Sequence, residues 1–119
     1  MNMRNISLPS IFVVLAFLAA GTASAQEGMA VYYSDKFQGR PTASGEIFDQ
    51  QALTAAHKKL PFGTQVKVTN LDNNQSVVLK INDRMASNNR NVIDVSRHAA
   101  RELGFERKGR TRVRIEVLQ

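Results

Sequence analysis

Toward the C-terminus apolar and polar residues alternate strictly: Val113, Ile115 and Val117 interleave with Arg112, Arg114 and Glu116. A period of two is what a half-buried β-strand requires, because successive side chains leave opposite faces of the pleat. Two more segments of this kind, Thr64–Asn70 and Ser76–Asn82, flank Leu71–Gln75, whose Asp72, Asn73 and Asn74 favour turn conformations. The pattern predicts a β-hairpin. In its second arm Val77, Leu79 and Ile81 share one parity and Lys80 takes the other, so the odd positions are expected to face the core. Asp83 carries the same parity two residues further. It is therefore expected at the rim of the apolar interior, partly desolvated, a setting that suits a general acid.

Val92–Val95 reads as a short strand, followed by Ser96 as the N-cap of a helix over Arg97–Leu103 that ends at Gly104. Ala99, Ala100 and Leu103 form the apolar stripe of that helix. Asp94, in the corner before it, is read as a structural carboxylate satisfying backbone amides, not as a catalytic one. Short strands punctuated by Gly and Pro predict an all-β fold, a small barrel with one or two short helices.

The N-terminal segment has a different character. Arg4 precedes the unbroken apolar run Ile11–Ala20, and Ala23-Ser24-Ala25 follows. The run is too short for a bilayer, which takes about 20 apolar residues, and fits the h-region of an export signal with cleavage before Gln26. Residues 1–25 are accordingly expected to be a signal peptide, and residues 26–119 a single domain, exported to the periplasm or the extracellular space. The net charge of +6 includes Arg4, so a cleaved chain remains basic and suits polyanionic surroundings, wall polymers rather than nucleic acid. Cysteine is absent, which excludes disulfides, thiol catalysis and a lipid-attachment cysteine, and predicts a soluble protein without membrane insertion. With His57 and His98 as the two imidazoles, a His/Cys zinc site lacks ligands. No metal and no cofactor are expected, and the protein is expected to be monomeric.

Candidate chemistry begins at Thr42-Ala43-Ser44-Gly45-Glu46-Ile47-Phe48-Asp49, where Glu46 and Asp49 lie in a Gly-containing loop. By themselves these carboxylates fit a solvated turn as well as a site. His57 closes the apolar stretch Leu53–His57 and is open to a packing role or a functional one. Taken together and in order, Tyr32-Tyr33, Phe37-Gln38-Gly39-Arg40-Pro41-Thr42-Ala43-Ser44-Gly45-Glu46, Thr54-Ala55-Ala56-His57, Leu60-Pro61-Phe62-Gly63-Thr64, Asn82-Asp83-Arg84 and Ile93-Asp94-Val95-Ser96 resemble the rare lipoprotein A family, over about residues 28–118. The departures are Met85-Ala86-Ser87, where the family continues Gly-Pro-aromatic, and Tyr32 and Ser34 in its Trp-Tyr-Gly motif.

The resemblance implies a six-stranded double-psi β-barrel, similar to expansins, barwin-like proteins and barrel-type endoglucanases, with a groove for a polysaccharide. Several members of that family are lytic transglycosylases, which cleave between N-acetylmuramic acid and N-acetylglucosamine in peptidoglycan strands stripped of stem peptides and leave a 1,6-anhydro end. The positions matching the family's functional residues are Glu46, Asp49, His57 and Asp83. In the reading this implies, Asp83 is the general acid and base, Glu46 and Asp49 bind sugar hydroxyls or stabilise positive charge, and His57 orients one of the acids. Tyr32, Tyr33 and Arg84 are candidates for contact with the sugar, the tyrosines being equally open to burial in the core. The alternative is a non-catalytic, expansin-like module that binds wall glycan. A third reading is a partner-binding domain that uses the basic face of Arg110, Arg112 and Arg114.

Overall fold

The computed structural model describes residues 25–118. The export segment read in residues 1–25 lies, apart from Ala25, outside them. Six strands form a closed barrel: β1 (Ala25–Tyr32), β2 (Thr54–His57), β3 (Gln65–Asn70), β4 (Ser76–Arg84), β5 (Ile93–Val95) and β6 (Thr111–Leu118), in the spatial order β1-β5-β2-β4-β3-β6. The pairs β1·β5 and β2·β4 are parallel and the other four antiparallel. Closure leaves no strand edge to pair with another chain.

The alternation read in β6 places Val113 and Ile115 in the interior, where Val66, Val68, Leu79, Ile81, Ile93 and Val95 meet them, all at most 1 % exposed. The hairpin is β3 and β4, with Val66 opposite Leu79 and Val68 opposite Val77. The single α-helix among the described residues, α1 (Arg97–Leu103), packs Ala99, Ala100 and Leu103 on this core. Its ends are closed as the sequence requires. The Ser96 hydroxyl accepts from the Ala99 N–H, and Gly104 takes a left-handed conformation at φ 78°. A Cβ at Gly104 would also lie 2.7 Å from Asn73 Nδ2, so both backbone and space demand glycine there.

Asn70, 2 % exposed, ties the hairpin to the helix. Its amide donates to the Leu103 carbonyl, and its Oδ1 accepts from the Asp72 N–H and the Thr111 hydroxyl. Removing this buried group takes a partner from all three, although the Leu103 carbonyl keeps Asn73 Nδ2 and the Thr111 hydroxyl keeps a longer contact to Asp72. Asn70→Ala is expected to cost about 3 kcal/mol, lowering Tm by roughly 10–20 °C for a domain of this size, as read by thermal unfolding.

One irregularity positions the site. Along the parallel pair β2·β4, Ala55 aligns with Ile81 but Ala56 aligns with Asp83, so Asn82 is an extra, bulged residue. The bulge corrects the expectation that Asp83 shares the inward face of Ile81. Ala55, Ile81 and Val95 point into the barrel, whereas Ala56 and its partners Asp83 and Asp94 point outward. Over that outer face folds the segment between β1 and β2. It carries a single 3₁₀ turn (Asp35–Phe37) and a small loop closed by Phe48, and it covers a second cluster of Tyr33, Phe48, Ala56 and Met85.

Candidate active site

A groove of about 400 Å³ runs over the outer face of β2 where this segment stops short of β4. Tyr33, Phe37, Arg40, Ala56, Asp83, Arg84, Met85 and Asp94 line it. Its floor is one row of the barrel: Asp83 on β4, Ala56 on β2 and Asp94 on β5, side by side in register. Ala56, between the two carboxyl groups, is packed against Tyr33, Phe48 and Met85.

The two acids have opposite surroundings. Asp83 is surrounded by donors: its Oδ1 accepts from the Ala43 and Arg84 N–H groups, each at 2.9 Å, and its Oδ2 accepts from the Tyr33 hydroxyl at 2.5 Å. These contacts hold its orientation. Asp94 has a buried Oδ1 with no hydrogen-bond partner. Burial, and secondarily the charge of Asp83, push the Asp94 carboxyl up to about 7. The sequence reading of Asp94 as a carboxylate satisfied by backbone amides is thereby corrected. Among the described residues it is the acid of the floor without a donor, and it is the groove residue that the sequence did not single out. A signal was present: the alternation of Ile93, Asp94 and Val95 turns the aspartate away from the barrel interior.

The remaining sequence candidates divide. Tyr33 lines the groove, but its ring is stacked on Phe48 at 4.1 Å between centroids, so its face is covered. Its contribution is the hydroxyl on Asp83. Burial first, and then that hydrogen bond, raise the Tyr33 hydroxyl far above its usual range, so it stays a donor. Tyr32 lies outside the groove. It meets Phe105 edge-on at 6.1 Å, its hydroxyl donates to the Glu106 carbonyl and Arg97 sits over its ring. Of the two roles left open for the tyrosines, packing is the one both fulfil. Arg84 lines the groove, with its guanidinium donating to the His57 and Leu60 carbonyls and lying 4.5 Å from the Phe62 ring centre.

Glu46, Asp49 and His57 do not line the groove. Glu46 is exposed and bridges Lys80 at 2.8 Å and the Asn82 amide at 3.0 Å, and the Lys80 contact above all lowers its pKa. It fastens the covering loop to the bulge beside Asp83. Asp49 is exposed and accepts from the Gln51 N–H within its own turn. His57 is 5 % exposed, and its Nδ1 accepts from the Lys59 and Leu60 N–H groups while Nε2 meets Gln26 Oε1 at 2.9 Å. Burial, then the neighbouring Arg84, Lys58 and Lys59, lower its pKa and keep it neutral. Among the described residues it makes no hydrogen bond to an acid, and its ring shapes the turn after β2. Gln50, which the sequence did not single out, is a buried hub: its amide donates to the Tyr33 carbonyl and Asp35, and its Oε1 accepts from the Arg97 N–H.

Comparison with known proteins agrees with this architecture. The chain is 47 % identical over 116 residues to "Probable endolytic peptidoglycan transglycosylase RlpA" of Treponema pallidum, covering 97 % of this chain and 36 % of that protein. It is 47 % identical over 93 residues to "Endolytic peptidoglycan transglycosylase RlpA" of Haemophilus influenzae, covering 78 % of this chain and 32 % of that one. The chain thus spans about a third of the length of these relatives. Among solved structures, the apo expansin of Clavibacter michiganensis superposes with a TM-score of 0.62 at 20 % identity, over 80 % of this chain and 50 % of that one, a likeness of fold. The family profile described as "Lytic transglycolase" matches residues 25–115, nearly the whole barrel with both floor acids, and the chain belongs to that family of rare-lipoprotein-A-like double-psi β-barrels.

Proposed function

We propose that the protein is a peptidoglycan lytic transglycosylase that cleaves the bond between N-acetylmuramic acid and N-acetylglucosamine in an exported compartment. The observation that carries this reading is the unequal acid pair in the groove: one carboxyl held by three donors, the other half-buried, with no hydrogen-bond donor among the described residues, and raised to about 7. The proton donor of glycoside cleavage must be protonated near neutral pH, and Asp94 meets that condition. Asp83, assigned the acid role from sequence, is better suited to accept a proton and to face positive charge developing at the anomeric carbon.

The steps balance. Asp94 gives its proton to the glycosidic oxygen as the bond to the anomeric carbon breaks. The substrate's own C6 hydroxyl attacks that carbon and passes its proton to Asp83, forming the 1,6-anhydro ring. No water enters, so the second carboxylate need not be positioned around a water molecule as in an inverting hydrolase. One proton returns from Asp83 to Asp94 between turnovers. Tyr33 acts through Asp83 as a positioning residue.

The test is incubation of the purified protein with amidase-treated peptidoglycan, scoring 1,6-anhydromuramic ends by mass spectrometry. Anhydro products are expected. Reducing ends without anhydro products would mean hydrolysis, and co-sedimentation with glycan without any product would mean the expansin-like binding module.

A further inference from the structure

The wall of the groove opposite the acids is made by the first turn of the covering segment. Ser34 caps the 3₁₀ turn Asp35–Phe37, which sets Phe37 edge-on to Tyr33 at 5.9 Å. Gly39, at φ 83°, then reverses the chain and returns Arg40 to the same ring. Two cations converge there: Lys36 Nζ is 5.3 Å and the Arg40 guanidinium 5.7 Å from the Phe37 ring centre. Asp35, the acid next to Lys36 in the chain, is directed elsewhere, since it accepts from Gln50 and pairs with Arg97. Neither Lys36 nor Arg40 has an ion pair or a side-chain hydrogen bond among the described residues. At the other end of the groove the Arg84 guanidinium is engaged with two carbonyls. Arg40 is therefore the groove-lining cation with open donors, and an aromatic ring holds a second positive charge beside it.

Arg40 thus lines the groove together with the floor acids, and Lys36, outside the lining, approaches the same Phe37 ring. We propose that Lys36 and Arg40 form a carboxylate-binding subsite that reads an acidic substituent on the sugar bound beside the scissile bond. This rests on the glycan-cleaving reading of the groove and adds to it a determinant of register. A guanidinium fork matches a carboxylate in two parallel hydrogen bonds, and the neighbouring ammonium adds a point charge. The floor acids repel a carboxylate laid over them. A strand in which acidic and neutral sugars alternate then seats with each acidic substituent toward Phe37, and this selects which of its two kinds of glycosidic bond lies over Asp94.

The experiment compares the protein with its K36Q/R40Q variant, both carrying Asp94→Asn to suppress turnover, for binding to a glycan with free carboxylates and to the same glycan with those groups reduced to alcohols. Without the double substitution, binding is expected to be roughly tenfold tighter to the carboxylate form, with the difference shrinking as salt is raised. K36Q/R40Q is expected to bring the ratio near one. An unchanged ratio in the variant, or no preference without it, overturns the subsite. A preference abolished by K36Q/R40Q in a protein whose unmutated form releases no anhydro product would uphold the subsite and remove the lytic reading, so the two fail separately.

Discussion

Asp94→Asn is expected to lower lytic activity at least about 100-fold and, at pH 8, to yield a protein more stable than the unmutated one. The first half follows from the general-acid role, which contributes on the order of 10²–10⁴ in rate. The second follows from the same burial that makes Asp94 an acid. Its carboxyl ionises near 3.8 when unfolded and near 7 in the fold. Below about pH 4 it is protonated in both states and costs nothing. Between pH 4 and 7 the unfolded chain releases a proton that the folded chain retains, so stability falls as pH rises, and above about 7 the penalty is constant. An amide escapes that penalty, so the advantage of Asp94→Asn should be absent at pH 4, grow through pH 7 and level off. Allowing for partial exposure, the plateau is roughly 2–3 kcal/mol. Urea unfolding at pH 4, 6 and 8, alongside product formation, reads both quantities. Retained activity, or a variant less stable at pH 8, would show that Asp94 is not the buried acid of the site. In the unmutated protein the rate should fall with a one-proton slope above about pH 7, as Asp94 loses its proton.

Asp83→Asn is the complementary case. Its Oδ1 can still accept from Ala43 and Arg84, and its amide can meet the Tyr33 oxygen, so the loop remains seated and Tm should move little. Activity should nonetheless fall about 100-fold or more, because the groove loses the anion that faces the developing charge and receives the C6 proton. A second effect distinguishes this from simple damage. The charge of Asp83 is one of the two causes that raise Asp94, so removing it should carry the Asp94 titration to lower pH while burial keeps it above the ordinary value. Carboxyl carbon NMR of Asp94 in the two proteins reads that shift directly. An Asp94 titration that stays in place would dissolve the coupled pair on which the mechanism depends.

The two arginines of the groove also look different in three dimensions. Arg84, a candidate for the sugar, is committed to backbone carbonyls and to Phe62, whereas Arg40, one letter within a motif, holds the open donors. On the basic face of the third reading Arg114 lies near the carboxylates of Glu27 and Glu116, while Arg110 keeps its charge and donates to the Asn91 amide oxygen.

Much of the framework was determined by the sequence alone. Alternation in β6 and in the hairpin, the Ser96 and Gly104 caps of α1 and the all-β class depend on neighbours within a few residues, where period and propensity act directly. β1 escaped that reading, since Gln26, Glu27, Gly28 and Met29 show no period of two, and it is a strand because β5 and β6 pair with it on either side. The chemistry of the site was decided by tertiary structure. One bulged residue, Asn82, reverses the face of Asp83, and no local pattern announces it. Barrel closure then inserts β2 between β4 and β5, so that Asp83 and Asp94 come to lie on either side of Ala56, and places Glu46, Asp49 and His57 outside the groove. Which carboxyl is an acid depends on water and donors around it, and those are supplied by segments that meet only when the chain is folded.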